Sequence, residues 1–175
     1  MIVFKRFSKL FLISFSVSLW LVSGATWAAG PEVQATDNLA QVGQDAAKRR
    51  LPVLVMFSAS YCSYCVVLEN EILKPMLLSG DYRDKVIIRK VVIDSGGYIK
   101  DFDGKDVLAS NISSRYNVGV TPTMLFLDAH GKELSKRLIG VQTLDFYGGD
   151  VDAAIDESIK KLRHPATRLS LHTAR

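Results

Sequence analysis

The feature that most constrains the fold is an uninterrupted apolar run over residues 51–57, LPVLVMF. A strand that is apolar at every position is buried on both faces, as in a sheet covered by helices on either side. A second run of this kind, KVIIRKVVID, occupies residues 85–94. Helical periodicity surrounds both runs, so the sequence predicts an α/β sandwich with a central mixed β-sheet flanked by helices.

The remaining elements follow from periodicity and from helix signals. Two further strands are predicted within residues 121–140, around a turn at Gly131. Asp37 is a suitable N-cap for the first helix, and Pro75 is expected to bend or end the second. The Gly- and Asp-rich segment 95–106 is expected to be a loop that influences partner choice and contributes little to the fold. Helices are predicted over residues 36–50, 62–77, 107–118 and 150–162.

The N-terminus has the order of segments that marks a secretory signal peptide. Lys5, Arg6 and Lys9 precede the apolar run LFLISFSVSLWLV, and the small-residue stretch SGATWAAG follows. We expect cleavage after Ala28, so that residues 1–28 are the signal peptide. A short signal led by Lys and Arg is typical of export to a bacterial periplasm, where disulfides persist. The alternative is an uncleaved membrane anchor, which the serines within the apolar run disfavour.

Charge and length set the domain organisation and exclude one class of partner. The chain carries 22 basic and 18 acidic side chains, and residues 1–28 hold three of the basic ones and none of the acidic ones, so the mature net charge is +1. Nucleic-acid binding requires a basic surface on the folded part. We therefore expect no nucleic-acid partner and no stable membrane insertion after cleavage. Residues 29–36 are predicted to be a linker, 37–163 one domain and 164–175 a solvated basic tail.

Cys62 and Cys65 are the only cysteines of the chain, and they lie where the first buried strand meets a helix. This placement puts Cys62 near the helix N-terminus and Cys65 one turn further on the same face. Free backbone N–H groups and the helix dipole at that end stabilise a thiolate, so Cys62 is the predicted nucleophile. Cys65 can then attack a mixed disulfide at Cys62 and resolve it, without a cofactor.

Other interpretations of the cysteine pair remain open. A metal site is the first, with a copper carrier as its best version, but one pair of thiolates falls short of the four ligands of a zinc site. A disulfide that closes so short a loop adds little stability, which disfavours a purely structural clip. A redox-sensing module with the same pair is a further non-enzymatic alternative. We predict no metal site, since the histidines lie in a polar turn or in and near the tail, at His130, His164 and His172.

The sequence resembles the thioredoxin-like superfamily, in particular its exported bacterial members. The resemblance rests on FSASYCSYC after the first core strand, on VGVTPTMLFLDAHGKEL and on the order of elements, and it covers about residues 37–162. It implies a thiol–disulfide oxidoreductase with a redox disulfide between Cys62 and Cys65, and a cis proline that faces this pair. The residues that the resemblance and their position assign to substrate binding are Thr121, Pro122, Tyr61 and Tyr64.

Departures from the family pattern concern the site itself. Tyr61 precedes the first cysteine where family reductases usually have Trp, and the dipeptide Ser-Tyr replaces Gly-Pro between the cysteines. The buried acidic residue of the preceding strand is here Met56, which leaves water, or Lys90 if its side chain turns inward, to manage the proton of Cys65. The CxYC pair and the Thr before the proline are closer to periplasmic isomerases and to exported thioredoxins of sulfur-oxidation gene clusters.

The sequence therefore predicts a periplasmic thiol–disulfide oxidoreductase that acts on protein thiols and disulfides. We expect it to work as a reductase supplied by a membrane electron-donor protein. A disulfide isomerase or oxidase is the alternative within the same chemistry. We expect a monomer that uses no cofactor.

Overall fold

The computed structural model describes residues 30–141 and 143–164 of the chain. Its elements in chain order are α1 (Leu39–Arg49), β1 (Val53–Ser58), α2 (Ser63–Leu68), a π-helical segment (Glu69–Leu73), α3 (Lys74–Ser79), β2 (Ile87–Val92), β3 (Tyr98–Lys100), β4 (Asp106–Leu108), α4 (Ala109–Arg115), β5 (Thr123–Leu127), β6 (Leu138–Ile139) and α5 (Leu144–Arg163).

A four-stranded sheet in the order β2-β1-β5-β6 forms the centre of the domain. β1 is parallel to β2 and antiparallel to β5, and β6 is antiparallel to β5. Side chains from helices pack on both faces of this sheet. The predicted α/β fold with a mixed sheet flanked by helices is therefore confirmed.

β1 is buried along its whole length, which explains its uninterrupted apolar sequence. Val53, Val55 and Phe57 belong to a core cluster that includes side chains of α1 and α4. Leu54 and Met56 belong to a second cluster, with side chains of α2, α3 and α5. Each of these side chains contributes roughly 1.5–3 kcal/mol by leaving water. Packing on both faces therefore fixes where β1 ends and where the next segment starts.

The helical run that follows the cysteines is longer than predicted. α2 continues through the π-helical segment into α3, and Pro75 lies in the first turn of α3. A proline inside a helical run removes one backbone N–H from the hydrogen-bond ladder, and here the ladder has π-helical spacing directly before Pro75. The run continues past Pro75 and ends at Gly80, whose φ of 77° suits a glycine C-cap.

Three other predicted boundaries are wrong. Asn38, not Asp37, caps α1, because its side-chain oxygen accepts the N–H of Gln41 at 2.9 Å. The helix predicted from residue 107 begins only at α4, after strand β4. The last helix begins at Leu144 rather than at residue 150, and the buried side chain of Tyr147 packs this first part of α5 onto the core.

The expectation that residues 95–106 contribute little to the fold is wrong. β3 and β4 pair as an antiparallel ribbon, and Ile99 is only 3% exposed within the core cluster that holds α1. The side chain of Asp101 is fully buried, and it forms an ion pair with Arg115 of α4. The segment is therefore packed as part of the domain.

The ends of the chain are described only in part. The predicted signal peptide, residues 1–28, and residues 165–175 of the predicted tail lie outside the described residues. Within the predicted linker, the carbonyl of Gln34 accepts the Lys90 N–H at 2.9 Å, and the Thr36 N–H donates to the Lys90 carbonyl at 2.8 Å. This segment thus pairs with part of β2. Within residues 30–141 and 143–164, no helix has the length and apolar character needed to cross a membrane.

Replacing Ile99 with Ala tests the structural role of the β3-β4 ribbon. Because this side chain is buried in the core, we expect the free energy of unfolding to fall by about 2–5 kcal/mol. The matched control is Tyr98→Ala on the same strand, where a side chain that is 68% exposed should cost roughly 0.5 kcal/mol or less. Urea unfolding followed by circular dichroism measures both. Equally small losses of unfolding free energy in the two variants would contradict the packing of the β3-β4 ribbon into the core.

Candidate active site

The two cysteines lie at the start of α2, directly after the loop that leaves β1. Cys62 is the N-cap of α2, and its Sγ accepts the N–H of Cys65 at 3.2 Å. The two sulfurs form a disulfide, with their Cα atoms 5.2 Å apart. Cys62 is partly exposed, whereas Cys65 is only 1% exposed. The accessible sulfur of the pair is therefore the one at the helix N-cap, and the buried sulfur lies one turn further along the helix.

This arrangement favours charge on Cys62 once the disulfide is reduced. A sulfur at the N-cap lies where backbone N–H groups have no partner within the helix and where the helix dipole is positive. Both effects favour the thiolate and lower the pKa of a thiol at this position. Burial acts in the opposite direction on Cys65, because a charged sulfur loses hydration there. Cys62 is thus suited to attack a partner, and Cys65 to react afterwards.

A carboxylate at the end of β2 fixes the loop before Cys62. Asp94 accepts the backbone N–H of Ser60 at 2.9 and 3.0 Å, one contact to each oxygen, and also the Ser60 hydroxyl at 3.1 Å. Three hydrogen bonds to a charged acceptor hold this loop more firmly than neutral bonds would. No local sequence pattern predicts this role for Asp94, because its partner Ser60 lies far away along the chain.

Thr121 and Pro122 lie just before β5, and the peptide bond between them is cis. Thr123, the first residue of β5, pairs with Phe57 near the end of β1. The Pro122 carbonyl accepts the Gly140 N–H at 2.8 Å. The register of β1 and β5 therefore brings the Thr121–Pro122 segment to the end of the sheet from which the cysteine loop leaves.

Aromatic side chains flank Cys62 in the sequence and face solvent. Tyr61 is fully exposed and Tyr64 is 62% exposed. Val120, next to Thr121, is 53% exposed. Exposed aromatic side chains are characteristic of protein-binding surfaces. These residues give the surroundings of the accessible sulfur an apolar character.

An ion pair joins the helical run that carries the cysteines to β2. The Lys90 amine donates to both oxygens of the Glu69 carboxylate, at 2.8 and 2.9 Å. The side chains of Lys90 and Glu69 are 22% and 14% exposed. Lys90 pairs with Met56 in the register of β1 and β2. Lys90 was predicted to matter here only if its side chain turned inward. Glu69 was not predicted, because in the sequence ENE it looks like a surface charge.

The described histidines do not join the cysteines in a metal-binding group. His130 is exposed in the turn after β5, and His164 is exposed just after α5. His172 lies outside the described residues. Within residues 30–141 and 143–164, no group of three or more His, Cys, Asp or Glu side chains is arranged to hold a metal ion.

Comparisons with known proteins agree with the fold. Residues 39–146 match the family model described as a thioredoxin-like domain. Among solved structures, a poplar thioredoxin h is similar at a TM-score of 0.52 and 20% identity, over 72% of this chain and 98% of that chain. The structure named DsbH oxidoreductase is similar at a TM-score of 0.53 and 19% identity, over 73% of this chain and 88% of that chain. No curated protein matches the sequence.

Alkylation of the reduced protein tests the difference between the two sulfurs. We expect iodoacetamide near neutral pH to modify Cys62 about tenfold faster than Cys65 or more, because the former is accessible and its thiolate is stabilised. Peptide mass spectrometry at short reaction times measures the two rates. The unfolded protein in urea is the control, and both cysteines should react there at similar rates. Faster modification of Cys65 in the folded protein would reverse the assigned roles.

Proposed function

The chain belongs to the family of thioredoxin-like domains, and we propose that it is a thiol–disulfide oxidoreductase that exchanges disulfides with protein substrates. The observation that carries this proposal is the disulfide between a partly exposed Cys62, which caps a helix, and a buried Cys65 one turn behind it. This arrangement supplies an attacking sulfur and a resolving sulfur from the protein alone. A cross-link over so short a loop would add little stability, which speaks against a purely structural role.

In the reducing direction, the Cys62 thiolate attacks one sulfur of a substrate disulfide. The substrate S–S bond breaks, its other sulfur leaves with the bonding electrons and takes up a proton, and a mixed disulfide forms at Cys62. Cys65 then loses its proton and attacks the Cys62 sulfur, which releases the second substrate sulfur as a thiolate. Two electrons have then passed to the substrate, and the Cys62–Cys65 disulfide has formed. A protein dithiol must return two electrons for the next cycle.

The proposed substrates are polypeptides that bind beside Cys62. An extended substrate segment would pair with the backbone of Thr121, next to Pro122, as strands pair in other cases of peptide recognition. Tyr61 and Tyr64 would cover its side chains. Residues 58–65 include no charged side chain, which favours apolar contact with varied protein substrates over recognition of one charged small molecule.

We assign the net direction of exchange as reduction of substrate disulfides, and the compartment as the periplasm. A membrane electron-donor protein would supply the electrons. The oxidoreductase would act as a monomer. The order of basic, apolar and small segments in residues 1–28 supports export. A disulfide isomerase or oxidase is the second candidate. The CxYC sequence and the Thr at position 121 favour it, since both resemble periplasmic isomerases.

Trapping of mixed disulfides tests the exchange reaction and the order of the two sulfurs. The reduced Cys65→Ser protein, incubated with insulin as a disulfide-bonded protein, should accumulate a covalent adduct through Cys62. The matched Cys62→Ser protein should form at least about tenfold less adduct, because its remaining sulfur is buried. Non-reducing electrophoresis and peptide mass spectrometry measure both. Equal adduct in the two variants, or no adduct in either, would contradict the proposed function.

A further inference from the structure

A charged pair is placed on a face of the sheet that is otherwise apolar. Lys90 follows Ile88 by two residues on β2, so the two side chains point to the same face. Ile88 belongs to the cluster that holds Met56 and side chains of α2 and α5. Glu69 reaches this face from the helical run that carries the cysteines and binds the Lys90 amine through both carboxylate oxygens. The pair thus lies at the edge of an apolar core cluster.

Stability alone does not account for this placement. Removing two charges from water costs several kcal/mol, and the attraction between them often only offsets that cost. A pair of well-packed apolar side chains at the same positions is often as stabilising or more so. Met56, the neighbour of Lys90 in the strand register, is apolar and fully buried, so the pair borders surroundings that already hold apolar side chains. A role in the chemistry of the neighbouring sulfur would explain why charges are present.

Glu69 is the helical neighbour of Cys65. The Glu69 N–H donates to the Cys65 carbonyl, so the helix between them is α-helical and the two residues stand one turn apart on one side. Side chains at this spacing have Cβ atoms about 5–6 Å apart. At this spacing a glutamate side chain is long enough to bring its carboxylate to a sulfur one turn earlier, directly or through one water molecule.

Cys65 needs a proton acceptor because of where it lies. Its sulfur is nearly inaccessible to solvent, and burial disfavours the thiolate that must attack the mixed disulfide. Met56, on the strand β1 that precedes the cysteines, has no group that could accept this proton. The charged group that the structure places against Glu69 from the facing strand is Lys90, whose own backbone is held by Gln34 and Thr36.

We infer that Glu69, held in place by Lys90, accepts the proton of Cys65 when Cys65 closes the disulfide; this inference rests on the proposed function. The S–H proton of Cys65 passes to the Glu69 carboxylate as the sulfur attacks Cys62. The bond between Cys62 and the substrate sulfur breaks, and that sulfur leaves as a thiolate with the bonding electrons. In the reverse direction, the protonated Glu69 returns its proton to Cys65. Lys90 is a positioning residue, which keeps the carboxylate facing the sulfur.

The test is the rate at which the protein closes its disulfide from a glutathione adduct. The reduced protein is mixed with oxidised glutathione, quenched with acid at intervals and analysed by mass spectrometry across a range of pH. The variants are Glu69→Gln, which keeps the shape but not the acceptor, and Glu69→Asp, which keeps a carboxylate. Glu71→Gln is the matched control, because that side chain is exposed on the same helical run.

Glu69→Gln should close its disulfide at least about tenfold more slowly than the wild type near pH 7, the low end of the effect of a lost general base. The deficit should shrink as pH rises, since solvent hydroxide can then ionise Cys65. Glu69→Asp should recover part of the rate, and Glu71→Gln should match the wild type. Loss of a negative charge by itself would favour the thiolate and speed closure, so slower closure identifies a lost proton acceptor.

Two results would overturn the inference while leaving the proposed function intact. If Glu69→Gln forms its disulfide as fast as Glu71→Gln does, the Glu69 carboxylate takes no part in the proton transfer. A deficit of the same size at every pH, with no recovery in Glu69→Asp, would show a structural effect. If the wild type itself forms no adduct or never closes it, the proposed function fails, and the role of Glu69 fails with it.

Discussion

Burial of both faces of β1 is the constraint on which the rest of the molecule depends. The strand lies between β2 and β5, and its side chains alternate between the two core clusters. A shift of β1 by one residue relative to its neighbouring strands is not tolerated, because it would turn every side chain of β1 to the opposite face of the sheet. The register of β1 is therefore fixed, and the loop to α2 leaves its end next to the first residue of β5. Cys62 follows that loop as the N-cap of α2.

The site combines a reactive position with a protected one over a single helical turn. At Cys62, backbone N–H groups and partial exposure favour a thiolate that a partner can reach. At Cys65, burial keeps the second sulfur away from solvent until the mixed disulfide forms. The Glu69–Lys90 pair lies on the helical run that follows this sulfur, and holding two largely buried charges there has a cost in desolvation. The two cysteines thus combine an accessible and a protected sulfur within one turn of the same helix.

Much of the fold was predictable from local pattern. β1, β2 and the helix after Cys62 follow from continuous apolar runs and helical spacing, and the same pattern places the cysteine pair at the start of that helix. Long-range contacts were not predictable. Asp101 looks like a solvated loop residue until Arg115 is seen to pair with it, and Ile99 is a single apolar residue among polar ones. Glu69 has the local appearance of a surface charge, and only the register of β2 brings Lys90 to it.

The reduction potential of the Cys62–Cys65 disulfide tests the central claim most directly. Equilibration of the protein with defined ratios of reduced and oxidised dithiothreitol, followed by acid trapping and mass spectrometry, measures it. A redox-active pair that serves as a reductase should titrate reversibly as one two-electron couple below about −220 mV. A value near about −120 mV would contradict the reducing direction and favour an oxidase. A disulfide that cannot be reduced without unfolding of the domain would contradict the assignment of the pair as a redox centre.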